Sequence, residues 1–553
     1  MIDLHNVRYR YTPDTDWVLQ DVNLHVEPGE IVLLCGASGS GKSTLCRLLN
    51  GLIPHFHGGQ LEGRVSVGGL DTREHAVADL YGRVAMIFQN PTAQLFNHTV
   101  ERELTYGLES LGLPADEIAC RVRESAEATG IARLLDRNPH QLSGGEQQLT
   151  AVAAALALHP QVLVLDEPYA SLDPANVRRL RQTLRRVRSG FESPLTLIIA
   201  EHRLEHVAPD ADRMVVLHQG RVVLDGPPQR VLAHDLDAYA LRAPSVVRAG
   251  RALDLSPLPL TVRQWSAAMT GGLDRNREAF RRALQASIPE LQGAASAGAA
   301  AGARAAIEAR DVYFGHDRRR PVLRGLDLTV DRGETLAVVG ANGSGKTTLI
   351  KHLNGLYRPQ QGRVRVLGRD TKKARVSELA RHVGMAFQNA NDQFFKYRVL
   401  AEIEVGARAL GRYDPDWMDE LISLFQLGPL LDRSPYKLSE GQKKRVAFAA
   451  ALAARPEILV VDEPTTGQDW PFRRALGELL QALRARRQST LLVTHDLEFA
   501  ESNADRWALL AGGQVTACDA PAAVMADEAA LRQASLEPTQ GHRLWAALEQ
   551  GVR

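Results

Sequence analysis

Two short stretches of this chain have the residue types and the spacing needed to hold a phosphate group. They are GASGSGKST at 36–44 and GANGSGKTT at 340–348, and both match the pattern G-x-x-x-x-G-K-[ST]. The glycines let backbone N–H groups close around phosphate oxygens, and the lysine is expected to reach the β- and γ-phosphates of a nucleotide. The hydroxyls of Ser43 and Thr347 are expected to bind Mg²⁺. The candidate phosphate-binding residues are Gly36, Ser38, Gly39, Gly41, Lys42, Ser43 and Thr44, with Gly340, Asn342, Gly343, Gly345, Lys346, Thr347 and Thr348.

Paired carboxylates follow two later apolar runs. QVLVLD at 161–166 and EILVVD at 457–462 each end in an aspartate, and a glutamate comes next. Asp166 and Asp462 are placed to complete the Mg²⁺ site, and Glu167 and Glu463 to polarise an attacking water molecule. Since both glutamates are present, the sequence predicts two working catalytic sites.

The elements that must position these residues are short buried strands. IVLLCG at 31–36 and TLAVVG at 335–340 are apolar runs that end at glycine-rich turns. The runs at 161–166 and 457–462 are also apolar, and they end at carboxylates. Continuous Val/Ile/Leu strands of this kind are typical of a parallel sheet covered on both faces, so the fold class is α/β. The motifs also recur in the same order. The number of residues between a motif and its repeat changes only from 304 for Lys42 and Lys346 to 293 for His202 and His495. This nearly constant spacing indicates two homologous domains.

We therefore divide the 553 residues into domains at 1–244 and 307–553 with a junction at 245–306. The last part of the junction, 293–306, has the Ala/Gly-rich composition of a linker, whereas its earlier part is expected to be partly helical. A formal net charge of +1 gives no reason to expect nucleic-acid binding. The four cysteines form no CxxC pair, and no apolar run approaches the ~18–20 residues that span a bilayer. The N-terminus lacks the apolar core of a signal peptide, so we expect a reduced cytosolic setting.

Taken together, the motifs resemble those of the ATP-binding-cassette (ABC) ATPases. The set consists of the phosphate loops, Gln89 and Gln388, LSGGE and LSEGQ, the DEP triplets, and His202 and His495. The resemblance implies two tandem P-loop ABC ATPase domains. Each would have a mainly parallel sheet core, an antiparallel β subdomain and a helical subdomain that carries the serine-glycine signature. It also implies ATP and Mg²⁺ as cofactors and head-to-tail pairing of the two halves within one chain.

In that arrangement each ATP would lie between the phosphate loop of one half and the signature of the other. ATP on Lys42 would be sealed by Ser439 and Gly441, and ATP on Lys346 by Ser143, Gly144 and Gly145. The resemblance assigns a γ-phosphate contact to the switch histidines His202 and His495, and both Mg²⁺ and γ-phosphate contacts to Gln89 and Gln388. Asp173 and Asp469 fall in the loop through which the halves touch.

Three departures from the family pattern predict unequal sites. Glu440 replaces the first glycine of the second signature, which puts a carboxylate near a nucleotide phosphate. Gln468 stands where Leu172 stands in the other half. The adenine-stacking aromatic corresponds to Tyr11 in the first half, but the matching position in the second half is His316.

The segments after the two switch glutamines, 88–113 and 387–411, resemble the ATPases of energy-coupling-factor importers, as do NGLIPHFHGG at 50–59 and LPLTVRQ in the junction. That likeness implies the motor of an importer for a vitamin, a vitamin precursor or a metal ion. The motor would bind peripherally at the cytoplasmic face of the membrane. Its partners would be an integral membrane coupling subunit and a separate membrane substrate-binding subunit.

The apolar pairs Leu95–Phe96 and Phe394–Phe395 could line a groove for a partner's helix or could fill the core. Other functions also stay open at this point. One is a soluble twin-cassette ATPase acting on ribosomes or nucleic acid, although such proteins usually have a charged helical linker. Others are the sugar importers, which tend to have one degenerate phosphate loop, and further transporter classes. The sequence does not identify the cargo.

Overall fold

The computed structural model describes residues 1–170, 172–188, 194–269, 273–288, 305–317 and 320–550. The chain divides into two compact units, Met1–Phe280 and Arg281–Gly551, which we call the first and second units. The predicted linker at 293–306 lies outside the described residues except for its last two positions. Helix Leu273–Ser287 contains the boundary between the units.

The strands of the first unit form two sheets. They are β1 (Ile2–Arg10), β2 (Leu19–Val26), β3 (Ile31–Cys35), β4 (Gln60–Val67), β5 (Leu70–Asp71), β6 (Val84–Ile87), β7 (Val162–Asp166), β8 (Thr196–Ala200), β9 (Arg213–His218) and β10 (Arg221–Gly226). One sheet is antiparallel, in the order β2-β1-β4-β5. The other has the order β10-β9-β3-β8-β7-β6 and is parallel except for β10.

The helices of the first unit cover the parallel sheet and form the helical subdomain. They are α1 (Lys42–Leu49), α2 (Leu52–His55), α3 (Val77–Leu80), α4 (Val100–Ser110), α5 (Ala115–Thr129), α6 (Gly144–Ala157), α7 (Pro174–Arg188), α8 (Leu204–Val207), α9 (Pro228–Val231), α10 (Ser245–Ala252), α11 (Val262–Met269) and the first part of α12 (Leu273–Ser287), which continues into the second unit. The last three lie in the junction, whose earlier part is therefore helical. The buried indole of Trp265 fixes α11.

The second unit repeats the same order of strands. They are β11 (Ala305–Phe314), β12 (Leu323–Asp331), β13 (Thr335–Val339), β14 (Gln361–Val366), β15 (Arg369–Asp370), β16 (Val383–Ala386), β17 (Ile458–Asp462), β18 (Ser489–Thr494), β19 (Arg506–Ala511) and β20 (Gln514–Asp519). The antiparallel sheet is β12-β11-β14-β15, and the larger sheet is β16-β17-β18-β13-β19-β20 with only β20 antiparallel.

The helices of the second unit are α13 (Lys346–Leu353), α14 (Val376–Leu379), α15 (Val399–Ala409), α16 (Pro415–Leu424), α17 (Glu440–Leu452), α18 (Trp470–Ala485), α19 (Leu497–Asn503), α20 (Pro521–Ala526), α21 (Glu528–Gln533) and α22 (Gln540–Gln550). Over the described residues, no helix has both the length and the apolar character needed to cross a membrane. The predicted α/β class and its subdomains are confirmed.

The core explains why the central strands are apolar along their whole length. Every residue of β3, β7 and β8 is buried, as is every residue of β13, β17 and β18. In each unit one cluster of buried side chains joins the antiparallel sheet to the parallel one. Because β3, β8 and β7 are adjacent and parallel, the loops after their carboxyl ends meet at one edge of the sheet. That edge holds the phosphate loop, the acidic pair and the switch histidine.

Candidate active sites

The phosphate loop of each unit is closed around its own lysine. Lys42 Nζ donates hydrogen bonds to the carbonyls of Gly36 (2.8 Å) and Ala37 (3.1 Å), and Lys346 makes the same two bonds with residues 340 and 341, at 2.8 and 3.0 Å. Both lysines are buried. Each ammonium is therefore held by two carbonyl groups of its own phosphate loop.

The last glycine of each loop is required by backbone conformation and by space. Gly41 and Gly345 precede α1 and α13 with φ of 105° and 110°, in the left-handed region that glycine favours. A Cβ at Gly41 would lie 2.7 Å from Leu19 Cδ2, and one at Gly345 would lie 2.9 Å from Leu323 Cδ2. Since α1 and α13 begin at the next residue, these glycines allow the helix N-terminus to point at the bound phosphate.

The aspartates that end β7 and β17 have the properties of metal ligands. Thr347 Oγ1 donates to Asp462 Oδ2 over 3.2 Å, and Ser43 is hydrogen bonded to Asp166 in the same way. The other oxygen of each aspartate, Oδ1, is buried without a hydrogen-bond partner. Burial raises the pKa of both carboxyl groups, to about 6 for Asp462. An orphaned carboxylate oxygen beside a hydroxyl is an oxygen donor set that suits Mg²⁺ completed by phosphate oxygens.

The first catalytic candidate, Glu167, is held by two polar side chains. Gln89 Nε2 donates to its Oε2 over 2.7 Å, and His202 Nδ1 lies 3.6 Å from its Oε1. Burial acts to raise the pKa of Glu167, but the hydrogen bond and charge of His202 and the charge of Lys42 outweigh it, so this pKa is lowered. The structure thus brings together the switch glutamine, the glutamate and the switch histidine of the first unit.

The second candidate, Glu463, is more deeply enclosed. His495 Nδ1 lies 2.8 Å from its Oε2, and Lys346 Nζ lies 3.6 Å from its Oε1. Burial again opposes ionisation, but the charges of His495 and Lys346 and the hydrogen bond from His495 lower the pKa of Glu463. Gln388 is exposed, and within the described residues its side chain makes no hydrogen bond. The two sites therefore differ in how the switch glutamine is placed.

Both glutamates have left-handed backbone conformation. Their φ values are 50° for Glu167 and 48° for Glu463, although neither is a glycine. The Glu167 N–H donates to Ala200 O (2.9 Å) and the Glu463 N–H to Val493 O (2.8 Å), which fixes each residue to β8 or β18. A strained residue held in this way by the neighbouring strand is typical of functional sites.

The signature serines cap their helices. Ser143 precedes α6 and accepts from Glu146 N, and Ser439 precedes α17 and accepts from Gln442 N, each over 3.4 Å. Both serines are exposed at a helix N-terminus. Glu440, the departure from the signature, is exposed and forms an ion pair of 2.8 Å with Lys443. Its negative charge is therefore balanced within its own helix.

The aromatic residues beside the phosphate loops differ between the units. Tyr11 Oη lies 3.1 Å from Thr44 Oγ1 and accepts from Arg47 over 3.1 Å, which holds the ring near the start of α1. In the second unit His316 is exposed and its ring centroid lies 5.3 Å from that of Tyr357. Tyr357 also stacks on Phe314, with centroids 4.8 Å apart. Sequence comparison of the halves missed Tyr357, because it follows α13 and has no aromatic counterpart in the first half.

Each apolar pair after a switch glutamine is split between core and surface. Leu95 and Phe394 are 3% and 7% exposed, whereas Phe96 and Phe395 are 60% and 62% exposed. One residue of each pair therefore fills the core, and the role of the exposed phenylalanines in binding a partner stays a prediction. The loops that carry the phenylalanines are fixed by glutamates that we did not single out from the sequence. Glu103 Oε2 accepts from the backbone N–H groups of residues 96 and 97, and Glu402 Oε2 from those of residues 395 and 396.

Comparison with known proteins decides the family. The sequence pattern described as ABC transporter matches residues 19–170 and 323–466, one match in each unit. The chain belongs to this family. An ABC transporter ATP-binding protein of Methanosarcina mazei is 36% identical over 534 residues, which cover 95% of this chain and 89% of the relative. One of Streptomyces avermitilis is 39% identical over 542 residues, covering 95% and 94%.

Among solved structures, CbiO1 of Clostridium perfringens, described as part of the ABC transporter complex CbiONQ, is 26% identical to this chain. The match covers 41% of this chain and 93% of that one, with a TM-score of 0.36. ATP-binding proteins of the ABC transporter family hydrolyse ATP, so this chain is an ATPase with two ABC domains. The predicted family and enzyme class are confirmed.

Proposed function

We propose that this ATPase is the motor subunit of an importer of the energy-coupling-factor type, bound at the cytoplasmic face of the membrane. It would drive uptake of a vitamin, a vitamin precursor or a metal ion. An integral membrane coupling subunit would transmit the motion, and a separate membrane protein would bind the cargo. The observation that carries this proposal is an apolar groove next to the switch glutamine of the first unit.

The groove has a volume of about 310 Å³ and lies between the helical subdomain and the sheet core. Its walls are apolar and aromatic, and include Leu52, Val77, Tyr81, Phe96 and Tyr106. The rings of Phe96 and Tyr106 meet edge to face, 4.9 Å apart. Exposed aromatic side chains around a concave apolar surface are typical of a site that receives an amphipathic helix.

The second unit presents exposed apolar residues at three of the matching positions. Leu356, Val376 and Phe395 are the repeat counterparts of Leu52, Val77 and Phe96, and they are 55%, 47% and 62% exposed. A partner with two similar helices, or with two copies of one, would bind both surfaces. Phe88 lines the groove, and its neighbour Gln89 donates a hydrogen bond to Glu167, so a helix in the groove would lie close to a residue that holds the proposed catalytic carboxylate.

We assign the chemistry to the residues already placed. Glu167 and Glu463 would orient and deprotonate the attacking water, and His202 and His495 would hold the γ-phosphate and the glutamate. Mg²⁺ bound by Ser43 and Asp166, or by Thr347 and Asp462, would neutralise charge on the phosphate oxygens. The signature serines and glycines of one domain would seal the ATP of the other, so that ATP closes the pair and hydrolysis reopens it.

The test combines measurement of ATP turnover with affinity capture of membrane proteins that bind the chain. Glu167→Gln and Glu463→Gln are each expected to lower ATP turnover by about 10²–10⁴-fold at the altered site, the usual contribution of a general base. Phe96→Asp and Phe395→Asp are expected to abolish co-purification of an integral membrane subunit while ATP binding persists. Leu424→Asp, which alters an exposed apolar residue outside the groove lining, is the matched control. Capture of ribosomes or nucleic acid in place of a membrane subunit would overturn the transport proposal and leave the ATPase intact.

A further inference from the structure

The second unit contains a buried lysine that the proposed chemistry does not use. Lys444 lies in α17, five residues after Ser439, and is 7% exposed. Its Nζ donates to the carbonyls of Glu463 (3.2 Å), Pro464 (3.3 Å) and Thr466 (2.7 Å). Burial lowers the pKa of Lys444 to about 8. One ammonium therefore ties the helix that starts at the signature serine to the catalytic loop 463–466.

Among the described residues of the first unit, the corresponding tie is not formed. The counterpart of Lys444 is Gln148, which is 3% exposed and whose Nε2 has no hydrogen-bond partner in the structure. The catalytic loop is held instead by Glu201, a fully buried carboxylate beside the switch histidine. Glu201 Oε1 accepts from Tyr169 N over 3.1 Å, and its Oε2 accepts from His202 N over 3.0 Å.

The two anchors are opposite in charge and come from different parts of the domain. In the first unit the carboxylate of Glu201, which follows β8, accepts from the N–H of Tyr169 in the loop and from the N–H of the switch histidine. In the second unit Asp496 likewise accepts from Thr465 Oγ1 in the loop over 2.8 Å, and the ammonium of Lys444 adds a link from α17 to the loop C=O groups. The counterpart of Glu201 is Thr494, whose hydroxyl donates to Glu463 Oε2 over 3.3 Å and accepts from Asp496 N over 3.0 Å. A charged anchor that satisfies several buried groups fixes geometry more tightly than an unpaired amide does.

We propose that Lys444 is a positioning residue that links the signature helix α17 to Glu463, and that α6 has no equivalent link to Glu167. This rests on the proposed roles of Ser439 and Glu463. In that proposal Ser439 would seal ATP on Lys42, whereas Glu463 would act on ATP on Lys346. Closure over the first ATP would therefore be transmitted through Lys444 to the second catalytic loop, and occupancy of the second site would act back on Ser439 through the same link. The link is made by the second unit, and its counterpart at Gln148 is not formed.

The experiment measures, in the full chain, the ATP turnover that each glutamate supports when the other is replaced. Glu167→Gln leaves turnover to Glu463, and in that background Lys444→Met is expected to lower kcat about tenfold with the KM for ATP changed less than twofold, because geometry and not binding is lost. Lys444→Arg, which keeps several donors, is expected to restore most of kcat. Gln148→Met in the Glu463→Gln background is the matched control, and turnover there is expected to change less than twofold.

A double-mutant cycle tests whether Lys444 carries the coupling between Ser439 and Glu463. Ser439→Ala is expected to lower turnover by Glu463, and this effect is expected to disappear when Lys444 is already Met. The proposal is overturned if Lys444→Met lowers only the thermal midpoint and leaves kcat within twofold, or if Gln148→Met lowers turnover equally. The same Lys444 and Gln148 variants are measured with both glutamates intact. If the Glu167→Gln chain has no turnover at all, the prediction of two working catalytic sites fails, and the effects of Lys444→Met and Gln148→Met are then compared in the chain with both glutamates intact.

Discussion

Replacing Glu103 tests whether a buried carboxylate holds the groove loop in the shape that a partner helix would meet. The carboxylate is 7% exposed, and one oxygen accepts from Phe96 N at 3.1 Å and from Asn97 N at 2.8 Å. A hydrogen bond to a charged group contributes about 1.5–3 kcal/mol, so Glu103→Ala is expected to destabilise the loop by about 3–6 kcal/mol. Glu103→Gln keeps an acceptor oxygen but loses the charge, and about half of that stabilisation should remain, since charge-assisted bonds are roughly twice as strong as neutral ones.

Amide hydrogen exchange measures the two N–H groups directly. Each 1.4 kcal/mol of lost local stability raises the exchange rate about tenfold. Exchange at residues 96 and 97 should therefore accelerate about 10–100-fold in Glu103→Gln and more than about 100-fold in Glu103→Ala. Glu101→Gln, an exposed position on the same helix, is the control and should leave both amides unchanged. Acceleration below about threefold in Glu103→Ala, or an equal acceleration throughout the unit, would refute a local role for this carboxylate.

Two further predictions concern the second unit. Glu501, on α19, is 5% exposed, and burial raises its pKa from 4.5 to about 7. A carboxyl group with a raised pKa contributes stability below its unfolded pKa that is lost as the pH rises through the folded pKa, here between about 4.5 and 7. Glu501→Gln should therefore be more stable than the parent chain at pH 8, by up to about 3 kcal/mol, and differ little near pH 4.5. Chemical denaturation at the two pH values checks this, and an equal effect at both would contradict it. His316→Tyr supplies the missing stacking ring, and an aromatic contact of about 0.5–1.5 kcal/mol predicts roughly three- to tenfold tighter nucleotide binding. Titration of a fluorescent ATP analogue into the Lys42→Ala background measures this second site alone, and an unchanged Kd would show that the existing pair of His316 and Tyr357 is sufficient.

The fold and the framework of the sites were accessible from the sequence because they depend on local pattern. Apolar runs that end in glycine-rich turns or in acids predict buried parallel strands, and β3, β7, β13 and β17 have that form. Once those strands are parallel and adjacent, the residues after them must meet at one edge of the sheet. The roles of the individual site residues, and the domain bounds 1–244, 245–306 and 307–553, stay predictions.

What the sequence could not give depends on side-chain direction and on contacts between distant segments. Nothing in the sequence distinguishes Leu95 from Phe96, although one fills the core and the other faces solvent. The anchoring groups Lys444 and Glu201 act on loops 19 to 32 residues away, through geometry that no motif encodes. The sequence predicts a carboxylate at Glu440 near a phosphate site. Because α17 begins at Glu440, Lys443 lies one helical turn away and forms an ion pair with that carboxylate.

The left-handed backbone at Glu167 and Glu463 sets a limit on how stable this protein can become. A side chain in that conformation is disfavoured by about 1–2 kcal/mol relative to glycine. Glycine at either position would relieve the strain and remove the proposed catalytic carboxylate in the same step. Each unit therefore contains a small amount of stability that can be released only by losing its chemistry. Attempts to make this ATPase more heat-resistant should leave those two positions unchanged and look for gains in the surrounding fold.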